Sequence, residues 1–293
     1  MRSIYGAIEG GGSKFVCAVG RGHDHVFAEA RFETRDPEST LQSVAAFFAP
    51  YAKELRAVGL CSFGPLELDP TRGVAYGSLL ETPKPGWSGF ALHDALSRAL
   101  AAPVAIETDV NGAALAEQRW GALRDCDPAV YVTVGTGVGV GVVIDRKPLH
   151  GLMHPELGHA RARDPEQVGS CPFHGGCVEG LVSAPALRAR TGRALEALPD
   201  EHPIWAAAAD TLGELLNTIV LAYSPRRIVL AGGVLARANL LLPLVRKALL
   251  RELGGYVPRP ELREPSIDRY VVGPGLGARS GIAGAFALAA DLR

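Results

Sequence analysis

A short cysteine and histidine motif is the most specific chemical signal in this sequence. Cys171, His174 and Cys177 have the spacing C-x-x-H-x-x-C. Two thiolates and an imidazole on one short loop, together with a histidine from upstream, suit a tetrahedral zinc ion. His159 is the expected fourth ligand and His154 competes with it; the other explanation is a pair of free thiols beside a surface histidine. Four such ligands leave no vacant metal position, so we predict a structural zinc rather than a catalytic one.

Two carboxylates flank this metal motif in the sequence. Glu156 lies between His154 and His159, and Glu179 follows shortly after Cys177. A carboxylate in such a loop is ordinarily a solvated side chain. A metal that anchors both loops would also hold both carboxylates toward a shared ligand.

Two glycine-rich loops are candidates for phosphate binding. The chain reads Glu9-Gly10-Gly11-Gly12-Ser13-Lys14 near its start and Val134-Gly135-Thr136-Gly137-Val138-Gly139 in its middle, and apolar runs flank each loop. Each pattern predicts strand, glycine turn and strand, which suggests one fold used twice. Glycine lets backbone N–H groups approach a phosphate, and the hydroxyl of Ser13 or Thr136 adds a donor. Neither loop matches a P-loop or a Rossmann motif, and a tight hairpin turn accounts for each loop taken singly.

Asp109 lies where a short strand passes into an alanine-rich helix. The strand is predicted at Pro103–Glu107 and the helix at Gly112–Trp120. A carboxylate at this position caps the free N–H groups of the first helical turn. It also suits a catalytic base, because the positive end of the helix dipole favours the ionised form. Asn111 has the same two interpretations.

Further glycines stand at the ends of predicted strands. Strands that alternate with helical patterns predict an α/β fold, and such folds bind ligands at the carboxyl ends of their strands. A tight turn is the alternative for each glycine. The strands and the residues that follow them are Ala57–Phe63 with Gly64 and Pro65, Arg227–Ala231 with Gly232 and Gly233, and Tyr270–Val272 with Gly275.

Composition and charge indicate a globular protein with small-molecule ligands. The 293 residues are 47% hydrophobic and carry a net charge of −1, which allows two domains and lacks the basic surface expected for nucleic-acid binding. No apolar run is expected to span a membrane, and residues 1–14 lack the apolar core of a secretory signal. The five cysteines are an odd number, which argues against a disulfide framework. We therefore expect a cytoplasmic protein that binds neither nucleic acid nor membrane.

Taken together, these pieces resemble the ROK family of sugar kinases and repressors, whose fold belongs to the group that includes actin, Hsp70 and hexokinase. The resemblance covers nearly the whole chain. It rests on the two glycine loops, Thr108–Glu117, Glu156–His159 with the cysteine motif, and Ala231–Val234. Glu9 and Ser13 stand where the family often has aspartate and threonine. The resemblance implies an actin-like/hexokinase-like ATPase fold with two α/β domains around a cleft. The small domain is residues 1–110, completed by a C-terminal helix at about 280–293, and the larger one is residues 111–279 with the zinc loop.

Within the family, the sequence is more similar to the fructokinase branch. Ser62–Pro65, His154–His159 and Cys171–His174 match that branch's Ser-Phe-Gly-Pro, His-Pro-Glu-[Leu/Met]-Gly-His and Cys-Pro-[Phe/Tyr]-His strings. Many glucokinases of the family have asparagine where this chain has Thr108, and a three-cysteine zinc loop where it has His174. The resemblance implies ATP-dependent phosphorylation of fructose to fructose 6-phosphate, with magnesium accompanying the nucleotide, a structural zinc and a homodimer.

The resemblance also assigns roles to individual residues. Asp109 is the expected catalytic base, oriented on the primary hydroxyl of the sugar. The residues expected to bind ATP or its phosphates are Gly11, Gly12, Ser13, Lys14, Thr136, Gly137, Gly232, Gly233 and Gly275. The expected sugar contacts are Gly64, Pro65, Asp109, Glu156, His159 and Glu179. The expected zinc ligands are His159, Cys171, His174 and Cys177.

Three alternatives predict different observations. A ROK kinase for glucose, mannose or N-acetylmannosamine would use one of these sugars better than fructose. A repressor of the family would need a helix-turn-helix before the first glycine loop, and in this sequence that loop begins by Glu9, so a sugar-sensing regulator is disfavoured. A zinc hydrolase would need an open metal position.

Overall fold

The computed structural model describes residues 3–163 and 168–292, which form an α/β protein with two five-stranded sheets. The chain divides into two compact units. The first comprises Met1–Ala116, Pro148–His154 and Arg279–Arg293, and the second comprises Glu117–Lys147 and Pro155–Ala278. Compared with the expected boundary after residue 110, the first unit runs on to Ala116 and takes in Pro148–His154.

Strands and helices alternate along much of the chain. The strands are β1 (Ile4–Gly10), β2 (Lys14–Gly22), β3 (His25–Glu33), β4 (Leu55–Ser62), β5 (Val104–Thr108), β6 (Ala129–Val134), β7 (Val138–Ile144), β8 (Lys147–Pro148), β9 (Arg227–Ala231) and β10 (Val271–Val272). The helices are α1 (Pro37–Phe48), α2 (Leu92–Leu100), α3 (Asp109–Trp120), α4 (Val178–Val182), α5 (Ala184–Thr191), α6 (Ile204–Tyr223), α7 (Ala238–Leu253), α8 (Ile267–Tyr270) and α9 (Ser280–Asp291). Short 3-10 helices lie at Ala49–Tyr51, Leu157–His159, Leu195–Ala197, Gly233–Arg237, Pro260–Leu262 and Gly277–Arg279.

Each sheet contains an antiparallel hairpin whose first strand also pairs with a parallel strand on its other side. The first sheet has the order β3-β2-β1-β4-β5, with β2 antiparallel to β1 and β4 parallel to β1. The second has the order β10-β9-β6-β7-β8, with β7 antiparallel to β6 and β9 parallel to β6. The two predicted units of strand, glycine turn and strand are therefore confirmed as β1–β2 and β6–β7. Both loops follow the carboxyl end of the first strand of their hairpin, where α/β folds bind ligands.

Small residues let α9 approach the first sheet and α3 closely. A Cβ on Gly59 of β4 would lie 1.8 Å from the carbonyl oxygen of Ala285, and a Cβ on Gly284 would lie 2.3 Å from the carbonyl carbon of Gly112. Phe286 is 1% exposed and packs in the same layer. Packing at this distance fixes the first turn of α3, the helix that begins with Asp109.

The other face of the first sheet packs against α1 and α2. Helix α1 begins with Asp36 accepting the N–H of Ser39 and with Pro37 at the first helical position. Trp87 is completely buried there, stacks with Phe15 at 5.7 Å between ring centroids, and donates its indole N–H to a backbone carbonyl. The core of the first unit therefore lies on both faces of its sheet.

The second unit contains one long apolar helix, α6. This helix packs against α4 and α7, and its buried face includes Trp205, Leu212 and Leu216. By length and composition alone it is apolar enough to cross a membrane, with a mean hydropathy of 1.2, contrary to the expectation that no run would be. Burial accounts for the difference, because 61% of its most apolar window is buried inside the fold, as in a core helix.

Candidate functional site

Asp109 is the first residue of α3 and follows directly after β5. The predicted helix start at Gly112 is too late, because Thr108 takes the capping role: its hydroxyl oxygen accepts the N–H of Asn111 at 3.3 Å. Oδ1 of Asp109 accepts the N–H of Val110 at 2.8 Å. The Asp109 carboxylate therefore lies at the positive end of the helix, where the ionised form is favoured.

Glu107 is a buried carboxylate beside this turn that the sequence patterns did not identify. It is 4% exposed. Its Oε1 accepts the N–H of Thr108 at 2.8 Å and the side-chain amide of Asn111 at 3.0 Å, and its Oε2 lies 2.8 Å from Nε2 of His150. The only sequence signal for this role is a charged residue near the end of an otherwise apolar strand.

Two other titratable groups of the first unit lie near the same turn. Burial raises the pKa of Cys61 well above its usual value, and the charges of Glu9, Glu107 and Asp109 act in the same direction. Cys61 is therefore an uncharged packing residue, and a Cβ on Gly112 would lie 2.1 Å from its Sγ. Burial also raises the pKa of Glu9.

The first glycine loop is fixed by hydrogen bonds within itself and to Thr34, the residue that follows β3. The N–H of Gly11 donates to the carbonyl of Lys14 at 2.8 Å, and Thr34 donates its N–H to the carbonyl of Ser13 and its hydroxyl to that of Gly11. The side chains of Ser13 and Lys14 are exposed, and a Cβ on Gly12 would meet no described atom within 4 Å. The loop thus exposes a hydroxyl, an amine and open backbone, which are the kinds of group that can bind a phosphate.

The loop after β4 carries the predicted sugar contacts Gly64 and Pro65. The N–H of Phe63 donates to the last carbonyl of β1 at 2.7 Å, so this loop lies beside the first glycine loop. The N–H of Leu66 donates to Nε2 of His154 at 3.1 Å, and His154 is 4% exposed. His154 is therefore engaged by the β4 loop.

The second glycine loop is fixed by Glu179. Oε2 of Glu179 accepts the N–H of Val138 at 3.0 Å, and within the loop Gly135 donates its N–H to the carbonyl of Gly137 at 2.8 Å. A Cβ on Gly137 would lie 2.6 Å from Oε2 of Glu179, so the contact requires glycine at this position. Thr136, at the tip, is exposed. The carboxylate that was predicted to bind sugar thus also holds the predicted phosphate loop.

His159, Cys171, His174 and Cys177 form a compact group of metal-ligand atoms, all within 4.8 Å of one another. Sγ of Cys171 lies 3.6 Å from Nδ1 of both His159 and His174, and Sγ of Cys177 lies 3.7 Å from Nδ1 of His159. Bond lengths of about 2.3 Å to sulfur and 2.05 Å to nitrogen separate these atoms by about 3.6 Å around a tetrahedral zinc. The group fits zinc by donor type and spacing, and it includes His159 rather than His154.

Two of the three predicted sugar-binding carboxylates, Glu156 and Glu179, lie close in the chain to a metal-ligand residue. Glu156 is exposed and directly precedes the 3-10 helix Leu157–His159, and the N–H of His159 donates to its carbonyl at 3.0 Å. Cys177 caps α4 through its sulfur, and Glu179 lies in the first turn of that helix. The backbone segments that carry the two carboxylates therefore adjoin the group around Cys177 and His159.

Gly232 and Gly233 follow β9 beside the second glycine loop. Gly232 has φ of 97°, and a Cβ there would lie 2.4 Å from the carbonyl oxygen of Val134. Only glycine fits such a position. Gly233 is exposed, with no described atom within 4 Å of an added Cβ, so the backbone is accessible to a flat ligand.

Glu117 holds the third glycine segment, residues 273–277, and the sequence patterns did not identify it. It is completely buried. Its Oε2 accepts the N–H groups of Ala122 at 2.7 Å and Gly275 at 2.9 Å, and its Oε1 accepts that of Leu276 at 3.0 Å. A Cβ on Gly275 would lie 2.5 Å from the nitrogen of Ala122. A glutamate near the end of an alanine-rich helix predicts a solvated side chain, so no sequence signal distinguishes this residue.

Comparison with known proteins identifies the relatives of this chain. The sequence profile of the ROK family matches residues 5–292. A curated fructokinase from Zymomonas mobilis is 41% identical over 98% of this chain and 97% of its own length, and one from Pediococcus pentosaceus is 37% identical over 98% and 97%. Among solved structures, a ROK hexokinase from Thermus thermophilus has a TM-score of 0.73 at 27% identity, over 98% of both chains. The predicted actin-like/hexokinase-like α/β fold class is thereby confirmed.

Proposed function

Because this chain belongs to the ROK family, we propose that it is a sugar kinase that transfers the terminal phosphoryl group of ATP to the primary hydroxyl of fructose, giving fructose 6-phosphate. The observation that carries this function is the identity with curated fructokinases along nearly the whole length of both chains. The geometry adds support, because phosphoryl transfer needs an oriented nucleophile and loops that bind phosphates.

Asp109 is the proposed base. Its carboxylate would accept the proton of the sugar hydroxyl as that oxygen bonds to phosphorus. Two features support the ionised form that a base requires: Oδ1 accepts the N–H of Val110, and the residue lies at the positive end of α3.

The glycine segments are the proposed ATP site. Ser13, Lys14 and Thr136 would donate to phosphate oxygens. The backbone of Gly12, where an added Cβ would meet no described atom within 4 Å, and that of Gly137 would approach them. Magnesium bound with ATP supplies charge neutralisation on the phosphates. The remaining proposed ATP contacts are Gly11, Gly232, Gly233 and Gly275.

The proposed sugar contacts come from four segments, and two of them include metal-ligand residues. Zinc on the four-residue group would neutralise two thiolates and hold the segments that carry Glu156 and Glu179. A sugar that leaves one fixed polar group unpaired loses about 1 to 3 kcal/mol. Two mismatches can separate kcat/KM values by roughly a few hundredfold. The full set is Gly64, Pro65, Asp109, Glu156, His159 and Glu179.

We also propose that the protein is a cytoplasmic homodimer. None of the five cysteines is paired in a disulfide, which supports a reducing compartment. The homodimer rests on the family resemblance, and light scattering on the purified protein tests it directly: a mass of one chain would contradict it.

The deciding experiment measures kcat/KM for fructose, glucose, mannose and N-acetylmannosamine with ATP and magnesium under one set of conditions. We expect fructose to be the best substrate. The second candidate, a ROK kinase for another hexose, is favoured by the similarity to the Thermus thermophilus hexokinase, and a higher kcat/KM for any of the other three sugars would establish it. Phosphorylation of none of them would contradict the kinase and favour a non-catalytic sugar-sensing regulator.

A further inference from the structure

The segment Pro148–His154 joins the first unit through two histidines. His154 accepts the N–H of Leu66 in the β4 loop. His150 lies with Nε2 at 2.8 Å from Oε2 of Glu107 in β5. These contacts connect a segment from the middle of the chain to two loops at the carboxyl ends of β4 and β5.

Glu107 orients the residues on both sides of Asp109. Its Oε1 accepts the backbone N–H of Thr108, which precedes Asp109, and the side-chain amide of Asn111, which lies in the first turn of α3. Asn111 is 1% exposed, and its Oδ1 has no hydrogen-bond partner among the described residues. The Asn111 amide is therefore held from one side only, by Glu107.

Burial makes the partner of Glu107 important. A carboxylate that is 4% exposed loses most of its hydration, and neutral donors such as the Thr108 N–H and the Asn111 amide compensate only part of that cost. The imidazole of His150 can supply a positive charge at the second oxygen, and its side chain is still 39% exposed, so it can exchange protons with solvent.

We propose that His150 is a positioning residue for the transfer reaction: in its charged form it fixes Glu107, and Glu107 fixes the turn that aims Asp109. This proposal rests on the proposed function, because it takes Asp109 as the base. Under this proposal, the rate of phosphoryl transfer depends on the protonation of His150, which does not itself touch the reacting atoms. Activity should fall as His150 loses its proton.

Among the titratable groups around His150 and Glu107, we expect only His150 to titrate near neutral pH. The hydrogen bond to Glu107 raises the pKa of His150 above its usual 6.5. Cys61 on β4 and Tyr76 in the following loop both feel the charge of Glu107, and burial raises the pKa of each, so both stay protonated there. The carboxyl groups of Glu9 and Asp109 also face Cys61. Burial raises the pKa of Glu9.

The direction of the pH effect follows from the raised pKa. Below it, His150 is charged and the bond to Glu107 is charge-assisted at both ends. Above it, the neutral ring retains a donor, but the contact is weaker, roughly by half. We therefore expect kcat to decline on the alkaline side through the raised pKa of His150.

The test is the pH profile of kcat for fructose phosphorylation in the wild type and the variants His150→Gln and His150→Ala. Glutamine keeps an N–H donor at similar reach and removes the charge, whereas alanine removes both. At neutral pH we expect kcat to fall about threefold in His150→Gln and about tenfold in His150→Ala, with the alkaline decline abolished and KM for ATP within about twofold. The matched control is His93→Gln, because Nε2 of His93 contacts the carbonyl of Val104 at the opposite end of β5. In this variant the alkaline decline of kcat should persist.

A second measurement separates positioning from general damage. Hydrogen exchange at the Thr108 amide should accelerate in His150→Ala at unchanged thermal midpoint. Adding Glu107→Gln to His150→Ala should cost little further kcat, because the pair acts as a unit. If Glu107→Gln does not fold, the His150 variants decide alone.

Suppose that the wild type is active, that the alkaline decline persists in His150→Gln, and that kcat and hydrogen exchange at the Thr108 amide are unchanged in His150→Ala. This result would overturn the positioning role of His150 but not the proposed kinase activity. A wild type that phosphorylates no sugar would overturn the proposed function itself, and the positioning role with it.

Discussion

Replacing Glu117 by glutamine should release the third glycine segment from the core. The carboxylate is completely buried and accepts three backbone N–H groups, two at Oε2 and one at Oε1. Glutamine has a single acceptor oxygen and an NH2 group in place of the other. With the oxygen toward Ala122 and Gly275, the NH2 group faces the N–H of Leu276, and that donor loses its partner.

The cost follows from these contacts. An unsatisfied buried N–H costs about 1 to 3 kcal/mol, and exchanging two charge-assisted hydrogen bonds for neutral ones costs about 1 kcal/mol each. The sum is about 3 to 5 kcal/mol, which lowers the thermal midpoint by about 10 °C if the whole second unit bears it. If only residues 273–277 open instead, ATP binding has to close them again. One third of the cost, about 1.4 kcal/mol, is then sufficient to raise KM for ATP about tenfold.

The assay combines thermal unfolding, KM for ATP and for fructose, and hydrogen exchange at the Gly275 and Leu276 amides. Glu67→Gln is the matched control, because Glu67 is 8% exposed and accepts the N–H of Asp69 through one oxygen, a contact that glutamine can keep. If Glu117→Gln leaves hydrogen exchange at the Leu276 amide, the thermal midpoint and KM for ATP at wild-type values, then Glu117 does not hold the third glycine segment.

Three further predictions test the proposed site. Asp109→Asn should lower kcat about 10² to 10⁴-fold with little effect on ATP binding, and activity within about threefold of wild type would remove Asp109 from the role of base. Gly137→Ala places a Cβ 2.6 Å from Oε2 of Glu179, which should break the hydrogen bond between Glu179 and Val138 and raise KM for ATP about tenfold. The control is Gly73→Ala, where the added Cβ meets no described atom within 4 Å and KM for ATP should not change. An unaltered KM for ATP in Gly137→Ala would show that the loop does not depend on this contact. Elemental analysis should find one zinc per chain, and a chelator should lower both thermal stability and fructose affinity; zinc-free protein of full activity would contradict the metal role.

The local features of this protein could be predicted from its sequence. The apolar runs around two glycine turns predicted β1–β2 and β6–β7. The spacing C-x-x-H-x-x-C predicted the compact group around Cys171. Each of these depends on residues a few positions apart, so backbone propensity and short-range geometry are sufficient. The start of α3 was predicted too late, because a threonine cap and three further helical residues resembled a turn.

Only the tertiary structure decided which buried polar groups meet. His154 and His159 lie in one short string, yet one contacts Leu66, 88 positions away, and the other joins the metal group. Glu179 meets the N–H of Val138 across 41 positions, and Glu117 meets that of Gly275 across 158. Such contacts exist because folding brings strand ends and helix ends together and removes water from them, which leaves each carboxylate to find donors among the nearest backbone groups. The residue types in a sequence name the possible donors and acceptors, but the pairing depends on distances that only the packed sheets and helices define.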